Sequence, residues 1–577
     1  MNNDESTVQH TQHAFLVAWG WFAEHLGLLT KIQSVSIRQK QYQHPPQAKV
    51  LEFLVATLAG LKYLQDISLA AHPLDKDLAV AQAWGQCGWA DYSGVSRTLQ
   101  GLTGLEVRQI AQVLDEISQP YLTAELNQLR TQKRRVCYDG DLTGLPVSNT
   151  SQTYPQAAYG HMDDEIRLGY QAAVVSLASP TYGRLWLSIA HHPGDTVSCT
   201  QAEALVLAAE AHTGVKPRRR TEQLQQRLQR MEPQLRQTTQ RLATQQHAVQ
   251  SAYARVEQVV QQAQTWQCDF DALQVQYQRR HRSERPTSRL AQARKRVQTA
   301  PKRLQSRMHT WHAAERRRDK TQAQLEALQV EWQRLQKRLT RLEQDNLANP
   351  TPVQAEFRLD AGFGSYANVA LLIEMGYEVY TKPHSHQVVA YLQRQVNAQT
   401  TWDRVGANAE VVVWHDLALQ GSPYPVDVAL ERFYTGQTLK HSALLHYGGD
   451  AVTANPTAWF EHYNQRQTIE AGIKESKQVF ALHRIKVRAE PAIILQECFV
   501  VFAANFIRWA AQWLAIQAAP GENALQLHPL GLKRQVQVGA HVSAQVIQNS
   551  EGRFLRFSEQ SAFAGKTLQL ACKGYPP

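Results

Sequence analysis

The stretch from Arg218 to Asn346 restricts the fold more than any other part of the chain. It is rich in Gln and Arg and poor in Gly, and its apolar residues alternate spacings of four and three, as in a coiled coil. A second seam follows a charged, proline-containing break, QYQRRHRSERPTS. The pattern predicts a helical hairpin over residues 218–346, with each arm about 70 Å long or more. The first seam comprises Leu224, Leu228, Met231, Leu235, Thr238, Leu242, Gln245, Val249, Ala252, Val256, Val259, Ala263, Trp266 and Phe270; the second comprises Leu290, Val297, Leu304, Trp311, Leu325, Leu328, Trp332, Leu335, Leu339 and Leu342.

The sequence leaves two properties of this hairpin open. Pro233 and Pro301 lie within the seams and predict local kinks or breaks, because proline removes a backbone hydrogen bond and clashes with the preceding turn. The seams also fit two arrangements, a hairpin that closes on itself and a coiled coil that pairs between subunits.

Positive charge is concentrated on the same segment. The whole chain carries a net charge of +11, and about 27 basic and 12 acidic residues fall within 218–346. The segment therefore carries roughly +15 and the remainder roughly −4. Such a distribution is expected if the hairpin lies along a phosphate backbone. Ordinary solvation of a coiled-coil exterior explains it equally well, so both interpretations stay open.

Residues 463–477, YNQRQTIEAGIKESK, carry the most specific chemical pattern. Tyr463, Arg466, Glu470 and Lys477 fall at offsets 0, 3, 7 and 14, which places them along one face of a predicted α-helix. A carboxylate among basic and hydroxyl groups can bind a hard cation while its neighbours bind phosphate oxygens. The alternative is a solvated helix face with an i, i+4 Arg–Glu pair. Ile469, Ile473 and Phe480 form the adjacent apolar stripe that would seat the helix on a core.

Two further segments offer carboxylates at the ends of predicted strands. Residues 353–359 read as a strand that ends at Asp360, followed by a glycine-rich turn and a helix beginning near Ser365. The alternative for Asp360 is a turn cap before that helix. Earlier in the chain, a strand through Val136 and Tyr138 runs into Asp139 and Asp141, which strand alternation puts on the same face.

The pattern Y-x2-R-x3-E-x6-K resembles the third-carboxylate signature of one branch of the DDE transposases of bacterial insertion sequences. The segment FRLDAGFGS, residues 357–365, resembles the second-aspartate segment of the same family. In that family the first aspartate is usually followed two positions later by Thr, which fits Asp141 and Thr143 and leaves Asp139 as the alternative.

The resemblance implies a catalytic site and its partners. Asp141, Asp360 and Glu470 would be the catalytic residues and would hold two Mg²⁺ ions, for which Mn²⁺ can substitute. Tyr463, Arg466 and Lys477 would bind DNA phosphates. The implied partners are double-stranded DNA with terminal inverted repeats, a target DNA, and a second subunit in a homodimeric paired-end complex. A further expectation is that Trp402, Trp414 or Trp459 stacks on a flipped base during excision.

The resemblance also implies an α/β fold with a ribonuclease H-like mixed sheet and flanking helices. The coiled-coil hairpin and a β-rich insertion would interrupt this sheet, and a helical domain would precede it. The predicted segments are 1–130 for the helical N-terminal domain, possibly binding DNA ends, 131–217 and 347–385 for two parts of the catalytic domain, 218–346 for the hairpin, 386–455 for the insertion, 456–520 for the third-carboxylate helix with its packing helices, and 521–577 for the C-terminal segment.

Composition limits the other classes of protein. The apolar stretch 492–517 contains Glu497, Asn505 and Arg508, so it predicts a buried helix rather than a membrane span. The polar start, MNNDESTVQH, is unlike a signal peptide, and the six cysteines are scattered without metal-binding spacing. A cytoplasmic, nucleoid-associated protein is expected. Two alternatives to a transposase are a related metal-dependent nuclease, or an inactive DNA-binding relic of a transposase, and a coiled-coil assembly protein.

Overall fold

The structure is a computed structural model, and it describes residues 7–40, 43–150, 154–162, 164–281, 283, 287–449, 454–517, 524–526, 530–549 and 552–571. The chain divides into two compact units. The larger comprises Met1–Arg218 and Thr351–Pro577, and the smaller comprises Arg219–Pro350. The N-terminal helices therefore belong to the same compact unit as the central sheet.

The N-terminal part of the larger unit is mainly helical, as its apolar periodicity predicts. It begins with a strand, β1 (Thr7–Thr11), which the sequence did not predict. Thr103 and Glu106 form a capping box at the start of the longest of these helices, so both ends of the box satisfy otherwise free backbone donors. The helices are α1 (Ala14–His25), α2 (Leu28–Gln33), α3 (Pro46–Leu58), α4 (Asp66–Leu69), α5 (Leu78–Ala83), α6 (Tyr92–Gln100) and α7 (Gly104–Thr131).

A mixed sheet of ten strands, counted over the described residues, forms the centre of the larger unit. Its order is β3-β4-β2-β6-β7-β11-β10-β9-β8, with β5 paired to β4. The β2–β6 and β6–β7 pairs are parallel, whereas β2–β4 and β4–β5 are antiparallel. The strands are β2 (Val136–Pro146), β3 (Ala158–Met162), β4 (Glu165–Ser179), β5 (Gly183–Pro193), β6 (Ala355–Leu359), β7 (Glu378–Thr381), β8 (Asp403–Arg404), β9 (Ala409–Leu417), β10 (Val426–Thr435) and β11 (Thr438–Tyr447).

The segment predicted as a β-rich insertion, 386–455, supplies the last four strands of this sheet. It does not form a separate sheet, because β11 pairs antiparallel with β7 and so continues the central one. The C-terminal segment forms a second sheet with the N-terminal strand, in the order β1-β12-β13-β14. Its own strands are β12 (Ala544–Asn549), β13 (Gly552–Phe557) and β14 (Thr567–Ala571).

Helices cover the central sheet. Helix α8 (Ala202–Thr213) packs on β4 and β5, and Leu205 of this helix lies against Gly140 of β2. Asp139 and Asp141 point to the opposite face, where the helices of the 463–477 motif lie.

The smaller unit is a helical hairpin, as predicted. Helices α9 (Thr221–Arg279) and α10 (Thr287–Ala348) have 59 and 62 residues, or about 90 Å each, and pack against each other. Every residue of the two predicted seams is buried or half-buried. Paired groups such as Arg219–Asp345 (2.8 Å) and the Tyr253–Trp311 rings (5.3 Å) join the arms. The hairpin therefore closes on itself within one chain.

Neither proline of the hairpin breaks its helix. Pro233 lies inside α9 and Pro301 lies inside α10, so the predicted breaks at these positions do not occur. A proline in a helix interior costs about 3 kcal/mol, and the packing along two long arms offsets such a local cost.

The remaining helices follow the hairpin in sequence and belong to the larger unit. They are α11 (Tyr366–Glu374), α12 (His386–Gln395), α13 (Pro456–Asn464), α14 (Gln467–Val479), α15 (Glu490–Gln517) and α16 (Leu532–Gln537). Among the described helices, α15 alone is long and apolar enough to cross a membrane by length and composition. Because 72% of its most apolar window is buried inside the protein, α15 behaves as the predicted core helix.

Candidate active site

The pairing of β2 with β6 places polar residues side by side on one face of the sheet. In the parallel register Gly140 of β2 lies beside Leu359, the last residue of β6. Asp360 follows directly after β6, and it lies close enough to Asp141 for its charge to raise the pKa of that residue. Because side chains alternate along a strand, every second pair shares this face. We call three such pairs rungs: Cys137–Glu356, Asp139–Arg358 and Asp141–Asp360.

The middle rung is a neutral, buried ion pair. Arg358 donates through Nε to Oδ1 of Asp139 (2.7 Å) and through Nη2 to Oδ2 (2.8 Å). Both side chains are at most 3% exposed. Arg358 also donates through Nη1 to the backbone carbonyl of His462 (3.0 Å). Both oxygens of Asp139, the alternative metal ligand, are thus held by one arginine, and the rung joins the sheet to α13.

The outer rung consists of two carboxylates, and neither β2 nor β6 places a basic side chain between them. Burial raises the pKa of Asp141, the charge of Asp360 raises it further, and Arg466 opposes the shift. The resulting pKa is about 7. Burial also raises the pKa of Asp360. Oδ1 of Asp360 is buried and has no hydrogen-bond partner among the described residues. The outer rung therefore concentrates negative charge that its own strands do not neutralise.

Arg466 links this rung to the third predicted carboxylate. Its Nη1 lies 3.7 Å from Oδ2 of Asp141, and its Nη2 donates to Oε1 of Glu470. Burial alone would lower the pKa of Arg466, but Tyr463 and the three nearby carboxylates raise it. Glu470 is about half exposed and stands at the open side of the cluster. The structure thus brings together Asp141, Asp360 and Glu470 around one guanidinium.

The predicted single helix through this motif is two helices in the structure. Helix α13 ends at Asn464 and α14 begins at Gln467, with Gln465 and Arg466 between them. The carbonyl of His462, which would accept a hydrogen bond from the backbone N–H of Arg466 in a continuous helix, accepts from Arg358 instead. The N–H of Arg466 donates to Tyr463 (3.0 Å), which tightens the chain at this point.

The other two predicted phosphate-binding residues differ in position. Tyr463 is 4% exposed, and its hydroxyl donates to the carbonyl of Leu359 (3.3 Å). It therefore faces the β6 backbone, and the direct phosphate contact predicted for it is not supported. Lys477 lies half-buried in the last turn of α14, two turns beyond Glu470.

Two glycines allow the close packing that positions the cluster. A Cβ at Gly364, in the turn after Asp360, would lie 1.8 Å from the carbonyl oxygen of Lys382. A Cβ at Gly472 would lie 2.1 Å from the guanidinium of Arg184, which packs under α14. A side chain at Gly364 would displace the turn that carries Asp360, whereas a side chain at Gly472 would require the Arg184 side chain to move.

A cleft of about 730 Å³ opens beside the outer rung. Asp360 and Gly362 line one part of it, and His161, Asp195 and His384 contribute polar side chains elsewhere. A volume of this size admits a nucleotide-sized group, so the cluster is open to a ligand on the side of Asp360, the one of its three carboxylates that lines the cleft.

The donor set of the outer rung fits a hard divalent cation. Asp141, Asp360 and Glu470 offer only carboxylate oxygens, which Mg²⁺ and Mn²⁺ prefer. Oδ1 of Asp360 is buried without a hydrogen-bond partner among the described residues, as expected of an oxygen that a cation would satisfy. Arg466 supplies the positive charge in the structure as it stands.

The sequence did not reveal every residue that shapes this site. Arg358 was missed, although the pair it forms with Asp139 sets the position of α13 and Arg466. Its only signal was a basic residue two positions before Asp360, in a strand that also contains Glu356. Among the tryptophans considered for base stacking, Trp459 is 1% exposed and belongs to the core, so that expectation is wrong for it. Trp402 is half-buried, with Arg432 stacked 4.0 Å from its ring centroid.

The chain matches no protein-family model and no curated protein.

Proposed function

We propose that the protein is a DDE transposase that cuts and joins DNA strands at the ends of an insertion sequence. The observation that carries this proposal is the outer rung, where Asp141 of β2 and Asp360, the residue that follows the neighbouring parallel strand β6, lie together without a cation from either strand. Glu470 reaches the same cluster from a helix, through Arg466. Three carboxylates from two strand ends and one late helix are the arrangement that the sequence resemblance implies.

The order of strands supports a ribonuclease H-like catalytic domain. Five strands run β5-β4-β2-β6-β7, the first three antiparallel and the last two parallel to β2. Apart from the edge strand β3 and the hairpin, the chain order β2, β4, β5, α8, β6, α11 and β7, with α14 later in the chain, is the one expected of that fold. The strands β8 to β11 would extend this domain beyond its minimal sheet.

The residues of the cluster would divide the chemistry between them. Asp141, Asp360 and Glu470 would hold two divalent ions, which supply activation of water or a 3′-hydroxyl and stabilisation of the leaving oxygen. The carboxyl group of Asp141, with its pKa raised to about 7, releases its proton when a cation replaces it. Arg466, freed from Glu470 and Asp141, would turn toward the phosphates that flank the cut.

Tyr463 and Lys477 would play unequal parts. Tyr463 would hold Arg466 in place through its buried ring and its hydrogen bond to β6. Lys477, further along α14, would bind a phosphate more distant from the cut.

The hairpin would serve the same reaction outside the site. Two transposon ends must be held together in one complex, and a rod about 90 Å long with a net charge of roughly +15 can contact distant duplex DNA. Since the hairpin closes on itself, a role in joining two subunits would require its outer surface rather than its apolar seam.

The test is DNA cleavage by a Glu470→Gln variant, with the inverted repeats that flank the gene as substrate. We expect cleavage with Mg²⁺ to fall at least about a hundredfold, because several kcal/mol of transition-state stabilisation depend on the ions. Binding of the end DNA should change little. Glu461→Gln, an exposed carboxylate on α13, is the matched control and should cleave normally.

The result also separates the alternatives. Cleavage without strand transfer by the wild-type protein would indicate a related nuclease. Binding of end DNA with no cleavage under any divalent ion would indicate a relic. Cleavage by Glu470→Gln at more than a few per cent of the wild-type rate would refute the assignment of the site.

A further inference from the structure

The innermost rung, Cys137–Glu356, lies outside the proposed catalytic cluster and has a third member. His462 of α13 reaches it, with its Nε2 2.7 Å from Oε1 of Glu356. One donor atom from each of Cys137, Glu356 and His462 lies within 4.8 Å of the others. The three side chains come from two strands and a helix that are far apart in sequence. The spacing of ligands along the sequence therefore could not predict this site.

We propose that Cys137, Glu356 and His462 bind one zinc ion that fixes α13 to the sheet. A thiolate, an imidazole and a carboxylate are all common zinc ligands, whereas Mg²⁺ and Ca²⁺ prefer oxygen alone. With a thiolate, a carboxylate and a neutral imidazole, a zinc ion would give a site without net charge. That balance suits a place where Cys137 and Glu356 are 8% and 4% exposed.

The contact between His462 and Glu356 supports a shared ion. Nε2 of His462 and Oε1 of Glu356 lie 2.7 Å apart. Burial alone would raise the pKa of Glu356, but hydrogen bonds with His462 and Cys137 and the charge of His462 lower it. The thiol and the imidazole therefore both converge on the Glu356 carboxylate. Zinc bonds of about 2.0 Å in a tetrahedral arrangement would set Nε2 and Oε1 about 3.3 Å apart, so a movement of under about 1 Å would suffice.

A second buried group points to the same place. The hydroxyl of Tyr380 is fully buried and has no hydrogen-bond partner among the described residues. Its ring meets that of His462 edge-on, with centroids 4.7 Å apart. Burial raises the pKa of Tyr380, and the charges of Glu356 and Glu378 raise it further. A water bound to this hydroxyl is suited to the fourth position around zinc.

The neighbouring charges leave Glu356 as the acidic group for an ion to neutralise. Asp139 is matched by Arg358 on the next rung, and Glu378 is matched by Arg135 at 2.8 Å. The nearest cationic group to Glu356 in the described structure is His462, which binds zinc only in its neutral form.

The position of the site gives it a structural role. The backbone carbonyl of His462 accepts from Arg358, and four residues later the chain reaches Arg466. An ion held by His462 and by both strands would fix the register of β2 on β6 and the start of the turn that places Arg466. Removing it should loosen that turn without removing any carboxylate of the outer rung.

Metal analysis of the full-length protein tests the proposal. Protein produced with added zinc and purified without chelator should contain about one zinc per chain, as a structural site requires. Cys137→Ser and His462→Gln should each lose it. Cys87→Ser, an exposed cysteine, and Glu470→Gln should both retain it, and retention in Glu470→Gln keeps this result independent of the proposed function.

Cobalt substitution covers the case in which a variant fails to fold. Wild-type protein loaded with Co²⁺ should show a sulfur-to-cobalt charge-transfer band in the near ultraviolet, with the strong visible bands of a tetrahedral ion. Cys87→Ser should show the same spectrum. Wild-type protein without zinc and without this band, or a folded Cys137→Ser that keeps the band, would overturn the proposal. Either outcome would leave the rung as a hydrogen-bonded cluster without metal.

Discussion

The face of the central sheet that carries Asp139 and Asp141 differs from the helical hairpin in how its charges are placed. On the sheet, ionic groups are few and buried: Asp139 is paired with Arg358, whereas two carboxylates share one face at the outer rung. On the hairpin, basic residues are numerous and mostly exposed along α9 and α10. Buried charges interact strongly and are hardly screened by salt, whereas exposed ones interact weakly and are screened. Each buried charge on the sheet is therefore expected to affect stability or activity on its own. The exposed charges of the hairpin are expected to affect DNA affinity only in sum.

The largest effect is expected where two aspartates on the same strand differ only in their partners. Asp141→Asn should lower cleavage about a thousandfold, since it removes a cation ligand worth several kcal/mol in the transition state. Asp139→Asn should lower activity no more than Asp141→Asn does, and chiefly by lowering the folded fraction. Cleavage rates normalised to folded protein measure the difference. If Asp141→Asn were active and a folded Asp139→Asn were inactive, the catalytic aspartate would be Asp139, two positions earlier on β2.

The next effect concerns stability rather than activity. Arg358→Met leaves Asp139 buried without its partner, which should cost about 3–5 kcal/mol of unfolding free energy. The double variant Asp139→Leu/Arg358→Met removes both charges and should recover much of that stability. Urea denaturation of the two variants measures it. If Arg358→Met were as stable as the wild type, the middle rung would not be a buried ion pair.

These two regions also differ in how far their sequences predicted them. The hairpin was predictable residue by residue, because a heptad seam is a local pattern that depends only on spacing along one helix. Its two prolines do not break the helices, since a local rule does not include the packing of the partner arm. The strands around Asp141 and Asp360 were predicted from the same kind of local signal, as were the paired strands β4 and β5.

Features that depend on pairing between distant segments could not be predicted. The Asp139–Arg358 rung joins residues 219 positions apart, and only the register of β2 on β6 brings them together. The split between α13 and α14 follows from that rung, because Arg358 takes the carbonyl of His462. The pairing of β1 with β12 likewise joins segments that are far apart in sequence, so no local pattern predicted it. The motif thus pointed to the candidate carboxylates. The strand register then determined that Asp139 is paired with Arg358, whereas Asp141 has no basic residue beside it on the neighbouring strand.

A comparable change in stability is expected from the pH dependence of the outer rung. The pKa of Asp141 rises from 3.8 to about 7 in the folded protein, mainly through burial and then the charge of Asp360. Between these values the folded state keeps a proton that the unfolded state releases. The metal-free protein should therefore become about 4 kcal/mol less stable as pH rises from about 4 to 7, with little further change above that.

Denaturation in EDTA at several pH values measures this change. Asp141→Asn should show a flatter profile, and it should be more stable than the wild type at pH 8. Mg²⁺ should stabilise the wild type more at pH 8 than at pH 6, because the cation competes with the proton. Parallel profiles for the two proteins would mean that Asp141 is not the group that titrates.

The smallest effect per residue is expected on the hairpin, where it tests the other side of the comparison. Arg294, Lys295, Arg296, Arg316 and Arg317 are exposed on α10, and replacing all five with Gln keeps helix propensity. Stability should change by less than about 0.5 kcal/mol per residue, as for ordinary surface positions. Affinity for end DNA should fall, and the slope of log K against log salt should become shallower by about 0.9 for each phosphate that the variant no longer neutralises.

Replacing Glu326 and Glu343 with Gln, which removes exposed negative charge from the same helix, is the matched control and should not weaken binding. An unchanged salt slope would show that the charge of the hairpin only solvates it, and deletion of the hairpin with full retention of paired-end complexes would remove its assembly role as well.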